Sequence, residues 1–165
     1  MTIRIANYKK WRKVNPTPHM MRSNLAGLCR GAIAKELAKE AENSHLNNLS
    51  KSVILHDKYA TVYVNPIAKK AMLTEKHSKF PEGSIIIKEK FDQTNSATPE
   101  LLTVMFKREN GYDPTSGNWE YAVLSGDGTQ LHSVGKLKNC RECHLNWKNN
   151  DFVSRNYLPK FWKDK

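Results

Sequence analysis

Cys140, Cys143 and His144 stand in the run Cys140-Arg141-Glu142-Cys143-His144, two thiols three residues apart followed at once by an imidazole. This C-x-x-C-H spacing is that of a c-type haem attachment site. The reason is geometric. Two thiols about one helical turn apart can both bond the porphyrin vinyl groups, and the adjacent imidazole then lies beneath the iron. The expectation is one haem c per chain, covalent through Cys140 and Cys143, with His144 as the axial iron ligand. Two other chemistries use closely spaced thiols. A thioredoxin-like redox pair needs a strand-then-helix context that this stretch lacks, and a zinc site needs a second Cys/His pair at finger spacing. Cys29 is left over inside an apolar helical pattern and reads as a small buried hydrophobe.

What such an iron does turns on its sixth position, because a second strong ligand makes an electron carrier and an open position admits a reactant. Met72 and Met105 have ligating sulfurs, but both lie in apolar patterns and read as core. His132 is polar and near the haem motif in sequence. It is the candidate distal proton donor, with a surface position as its alternative. His19, His45, His56 and His77 lie in polar segments and read as surface histidines. Phe80 and Phe106 are candidates to crowd the distal side, which would admit diatomic gases and exclude larger ligands.

The elements that must position these groups follow from periodicity. From Met20 to Ala41 apolar residues recur at three- and four-residue steps, one helix face, and Pro16 and Pro18 stop anything earlier. The Asn- and Ser-rich stretch 43–52 is a loop. Tyr59–Val64 is a β-branched and aromatic run ending at Asn65-Pro66, where a helix to about His77 starts with Asn as cap and Pro first. A turn at 80–83 leads to three further strands, Ser84–Phe91, Leu101–Arg108 and Asn118–Leu124, with a turn at Gly126–Gly128 behind them. Their separators are too short for crossover helices, so antiparallel pairing is expected. Alternation along the first of these puts Ser84, Ile86, Lys88 and Lys90 on one face, and Ile85, Ile87, Glu89 and Phe91 on the other. The haem motif opens a C-terminal helix, with Leu145, Trp147 and Phe152 available to pack on haem or sheet. The class is α+β: mainly antiparallel sheet, an N-terminal helix and a C-terminal haem-binding helical segment.

The chain's 165 residues suit one domain spanning 1–165. With 39% hydrophobic and 26% charged residues it is globular in composition, and no stretch approaches the roughly 18 apolar residues that span a bilayer. A membrane-embedded chain is not expected. The net charge of +11 sits at the ends: 1–40 carry 9 basic and 2 acidic residues, 136–165 carry 8 and 3, and the middle has 10 and 11. Such a field suits an acidic redox partner better than nucleic acid, for which no binding motif is present. Haem propionates would offset part of it. The first residues, MTIRIANYKKWRKVN, contain no apolar signal-peptide core. Since haem joins this motif after export, the expectation is a leader already removed and a periplasmic mature protein.

A wider set of residues carries a family resemblance: Tyr8-x-x-Trp11-x-x-Val14-Asn15, Thr61-Val-Tyr-Val-Asn65-Pro66, Phe80-Pro-x-Gly83-Ser-Ile-Ile-Ile-Lys88-Glu89 and Met105-x-Lys107-Arg108. They continue with Gly111-Tyr112-Asp113-Pro114, Gly117-Asn118-Trp119, and C-x-x-C-H with Asp151-Phe152-Val153 behind it. In this order, over nearly the whole chain, they resemble the cytochrome P-460 family. The resemblance implies an antiparallel-β protein with flanking helices, usually a homodimer, holding one c-type haem per subunit with an open site above the iron. It implies one of two branches: enzymes that oxidise hydroxylamine with nitric oxide, or cytochromes c′-beta, which bind small gases such as nitric oxide. In the enzymes a lysine is cross-linked to the haem, and Lys88 before Glu89 stands in the matching position, with a solvated Lys88 as the alternative. Some enzymes place an arginine where this chain has Ala60. The polar distal group of active members would fall among Gln130, His132, Ser133 and Lys136. The expected function is hydroxylamine oxidation, then gas binding, then electron transfer to a partner protein.

Overall fold

The computed structural model describes residues 5–21, 57–73 and 78–159. Seven strands form one sheet, wholly antiparallel: β1 (Arg12–Lys13), β2 (His19–Met21), β3 (Lys58–Val64), β4 (Ile85–Phe91), β5 (Leu101–Lys107), β6 (Trp119–Ser125) and β7 (Leu131–Gly135). From β3 to β7 neighbours in sequence are neighbours in space, while β1 and β2 both pair with β3 along its free edge. The helices are α1 (Pro66–Leu73) and α2 (Lys138–His144), and a 3-10 segment, Leu145–Asn150, continues from α2. The α+β class with antiparallel pairing is as expected.

Four strands follow the expected runs, and β1, β2 and β7 are additional. Met20 and Met21, expected to open a helix, belong to β2 instead. The rest of that expected helix, with Cys29, lies outside the described residues, as do His45, His56 and, beyond α1, His77. Pro16 and Pro18 lack the N–H groups a continuous edge strand would need. The Asn15 side chain bridges the break, donating from Nδ2 to the Ala60 carbonyl (2.8 Å) and accepting at Oδ1 from Val62 N–H (2.8 Å). Asn65 caps α1 as its sequence suggests: Oδ1 accepts from Ala68 N–H at 3.0 Å and from Ile85 N–H at 3.1 Å, tying the helix start to β4.

The sheet buries both faces. Ile87, Leu102, Val104, Ala122 and Leu124 pack with Ile5 and Tyr8 on one side. Val62, Val64, Ile86, Met105 and Tyr121 face the other, under α1 and the C-terminal segment. Register fixes this assignment, because a slip of one residue exchanges the faces.

Candidate functional site

A cavity of about 300 Å³ lies on the second face. Two adjacent rows of the sheet make its floor. In one, Lys88 pairs with Val62 and Thr103; in the next, Ile86 pairs with Met105, which pairs with Tyr121. All six line the cavity, so Lys88 brings a cation to a wall that is otherwise mostly apolar.

The opposite wall holds the haem motif. Within α2 the spacing of three and four residues sets Cys140, Cys143 and His144 on one helix face, and all three line the cavity. The two thiols are not joined in a disulfide. The motif closes α2 rather than opening a helix, as the sequence had suggested. Within α2 Cys140 is the third residue and Cys143 the sixth of seven. Arg141, between them, points away from the cavity and pins α2 to the 3-10 turn at Pro114–Ser116, with Nε 3.0 Å from Asp113 and a 2.9 Å hydrogen bond to Thr115.

His144 is held in one tautomer. Its Nδ1 lies 2.7 Å from the Phe152 carbonyl, which can only accept, so Nδ1 carries the proton and Nε2 keeps its lone pair. Burial holds the imidazole neutral, its pKa lowered to about 4, and the positive charge of Lys88 pushes the same way. A neutral ring with a free Nε2 lone pair is the form that ligates iron. The Tyr121 ring lies 5.4 Å from His144 and the Trp147 ring 5.7 Å. Burial raises the pKa of the Tyr121 hydroxyl, and the Ser116 hydroxyl beside it pulls the other way. A mostly apolar cavity with two neighbouring thiols and a neutral imidazole suits a haem.

The chain behind His144 reverses through two left-handed residues, Asp151 (φ 54°) and Phe152 (φ 63°). Gly117 makes room for the Phe152 ring: a Cβ there would stand 2.5 Å from Cδ2 of Phe152.

The remaining candidates fall elsewhere. His132 is exposed on β7, at the bulge where pairing with β6 shifts register, and does not line the cavity. Gln130, Ser133 and Lys136 do not line it either. Phe80 packs edge-on against Trp119 at 5.5 Å, and Phe106 shares the face of Ile85, so neither crowds the cavity. Leu145, expected to pack, is 50% exposed, whereas Trp147 lines the cavity and Phe152 is core. Met72 and Met105 are buried and also contribute to the lining.

Sequence reasoning missed His19. Read as a surface residue, it is half-buried on β2, lines the cavity beside Met20 and Met21, and meets the Tyr157 ring edge-on at 5.1 Å. Its partner across the strands is Ala60. Pairing of a three-residue edge strand carries no local signal beyond the two prolines before it.

The sequence model of the cytochrome P460 family matches residues 5–155 of the chain. No curated protein matches it.

Proposed function

Because the chain belongs to the cytochrome P460 family, and is therefore a haem-binding cytochrome, we propose that it holds one c-type haem in the cavity between β3–β6 and α2 and oxidises hydroxylamine there, with nitric oxide. Cys140 and Cys143 would anchor the haem covalently, and His144 Nε2 would ligate its iron. The single observation that carries this reading is the shared cavity of Cys140, Cys143, His144 and Lys88.

The haem, when bound, supplies the redox chemistry that withdraws electrons from a small nitrogenous substrate. The chain supplies the rest. The Phe152 carbonyl keeps the proton on His144 Nδ1. Lys88 sets a positive charge at the wall and would be the residue to bond the haem. His19 offers a half-buried imidazole at the cavity wall as a candidate to hold or pass a proton. The apolar floor excludes bulk water from the reacting face.

A second reading is a gas-binding protein of the cytochrome c′-beta kind. The mostly apolar lining favours it, because it suits a diatomic ligand better than a hydrated one. Peptide mapping by mass spectrometry separates the two. A conjugate of the Cys140–Cys143 peptide with the Lys88 peptide through haem is the result expected of the enzyme. A haem peptide free of Lys88, with nitric oxide binding and no hydroxylamine turnover, would give the gas-binding reading its place. Maturation of such a haem implies a periplasmic protein, and β7, with exposed Leu131 and Val134 at the sheet edge, is a surface for a second copy in a homodimer.

A further inference from the structure

The segment behind the haem motif is over-determined for a surface loop. Asp151 and Phe152 are both left-handed, a conformation that costs energy for residues with side chains and persists only where surroundings enforce it. What enforces it is a buried ion pair. Lys107 Nζ donates to both oxygens of the Asp151 carboxylate, at 2.8 and 2.7 Å, with the two side chains 11% and 9% exposed. The same carboxylate accepts from Phe80 N–H at 2.7 Å, and the Asp151 carbonyl accepts from Trp119 Nε1–H at 2.8 Å. Lys107 Nζ also lies over the Trp119 ring, 4.9 Å from its centre. Asp151 is thus fastened at its side chain and its backbone, and the next carbonyl in the chain, that of Phe152, is the one His144 uses.

We infer that the buried Lys107–Asp151 pair is the positioning device for the iron's proximal ligand: it fixes the Phe152 carbonyl against His144 Nδ1–H and so sets how strongly His144 donates to the iron. The physical basis is general. A hydrogen bond accepted from the far nitrogen of a ligating imidazole raises its basicity, and such outer partners change metal-site affinity or activity about 10–100-fold. Buried ion pairs contribute little net stability, which leaves fixing a geometry as their best use. Asp151 and Lys107 act through Phe152 and touch neither iron nor substrate. They are positioning residues.

The inference rests on His144 as the iron ligand, and its test separates the two. Resonance Raman spectra of the ferrous haem protein read the iron–histidine stretch directly. In Asp151→Asn and Lys107→Gln this band is expected at lower frequency, with the reduction potential raised and the nitric oxide affinity changed about tenfold, while Lys107→Arg restores the wild-type band. Unshifted bands and potentials in both variants, with only the melting temperature lowered, would overturn the inference. If these variants do not mature with haem, Trp119→Phe removes the indole donor to the Asp151 carbonyl and keeps an aromatic ring against Lys107 and Phe80. A band unmoved there counts equally against it. A wild-type ferrous protein that is five-coordinate and high-spin by its absorption spectrum and still shows no iron–histidine band contradicts the ligation of iron by His144 instead.

Discussion

Lys88 and Glu89 are adjacent on β4 and face opposite sides of the same sheet, and their surroundings differ in kind. Glu89 is buried and answered by its own chain: Tyr8 Oη donates to it at 2.6 Å and Lys9 Nζ lies 3.8 Å away. That side is filled by Ile5, Tyr8, Ile87, Leu102 and Leu124. Lys88 stands in the wall of a cavity opposite two thiols and an imidazole. One face of the sheet therefore completes itself with side chains, and the other is shaped around space. The first is the part of the molecule that holds the register; the second is the part that the register serves.

Substitutions on the two faces should separate into stability effects and haem effects. The largest change is expected from His144→Gly, which removes the proposed iron ligand. The visible spectrum and ligand affinity should shift by more than the roughly 10–100-fold of an outer-sphere change, as titration with nitric oxide would measure. On the filled face, Ile87→Ala leaves a hole at a fully buried site and should cost about 2–5 kcal/mol in denaturant unfolding. Its haem spectrum should be that of the wild type, and a shifted spectrum would break the division between faces.

Tyr8→Phe should cost about 1–3 kcal/mol, because it leaves the buried Glu89 carboxylate short of its closest donor. It should also alter the alkaline limb of stability. Burial, and then the bond to Glu89, raise the Tyr8 hydroxyl above its ordinary value of 10. The unfolded chain loses that proton first, so stability falls as pH rises above 10. Tyr63 and Tyr121, also raised by burial, add to the slope, and the variant should lose Tyr8's share of it. The smallest stability change is expected from Lys88→Met, under about 1 kcal/mol, since the apolar stem is kept. Its effect should instead be read in haem absorbance and nitric oxide binding. Unfolding strongly weakened with unchanged haem properties would make Lys88 a structural residue like Glu89.

The grouping of Cys140, Cys143 and His144 is legible in sequence because spacings of three and four residues share one helix face, and all three line the cavity. The faces of β4 are legible because strand alternation is strict once the strand is recognised. Asn65-Pro66 announced α1 by capping chemistry alone. The cavity walls were harder, since lining is a property of tertiary pairing. His19 reaches the site through three paired residues at an edge, and Tyr157 through a coil behind the motif. β7 escaped notice because its bulge at His132 breaks alternation within five residues. Lys107 and Asp151 stand 44 residues apart, and no local pattern announces that they meet. Their neighbours in the family resemblance, Gly117, Trp119 and Phe152, prove to be one structural unit behind His144.

A crystal structure of the haem-loaded protein tests the central claim most directly. The account predicts haem bonded to Cys140 and Cys143 within the cavity, iron on His144 Nε2, the Phe152 carbonyl still on Nδ1, and Lys88 at the macrocycle edge. Haem seated elsewhere, or iron held by another side chain in place of His144, would contradict it.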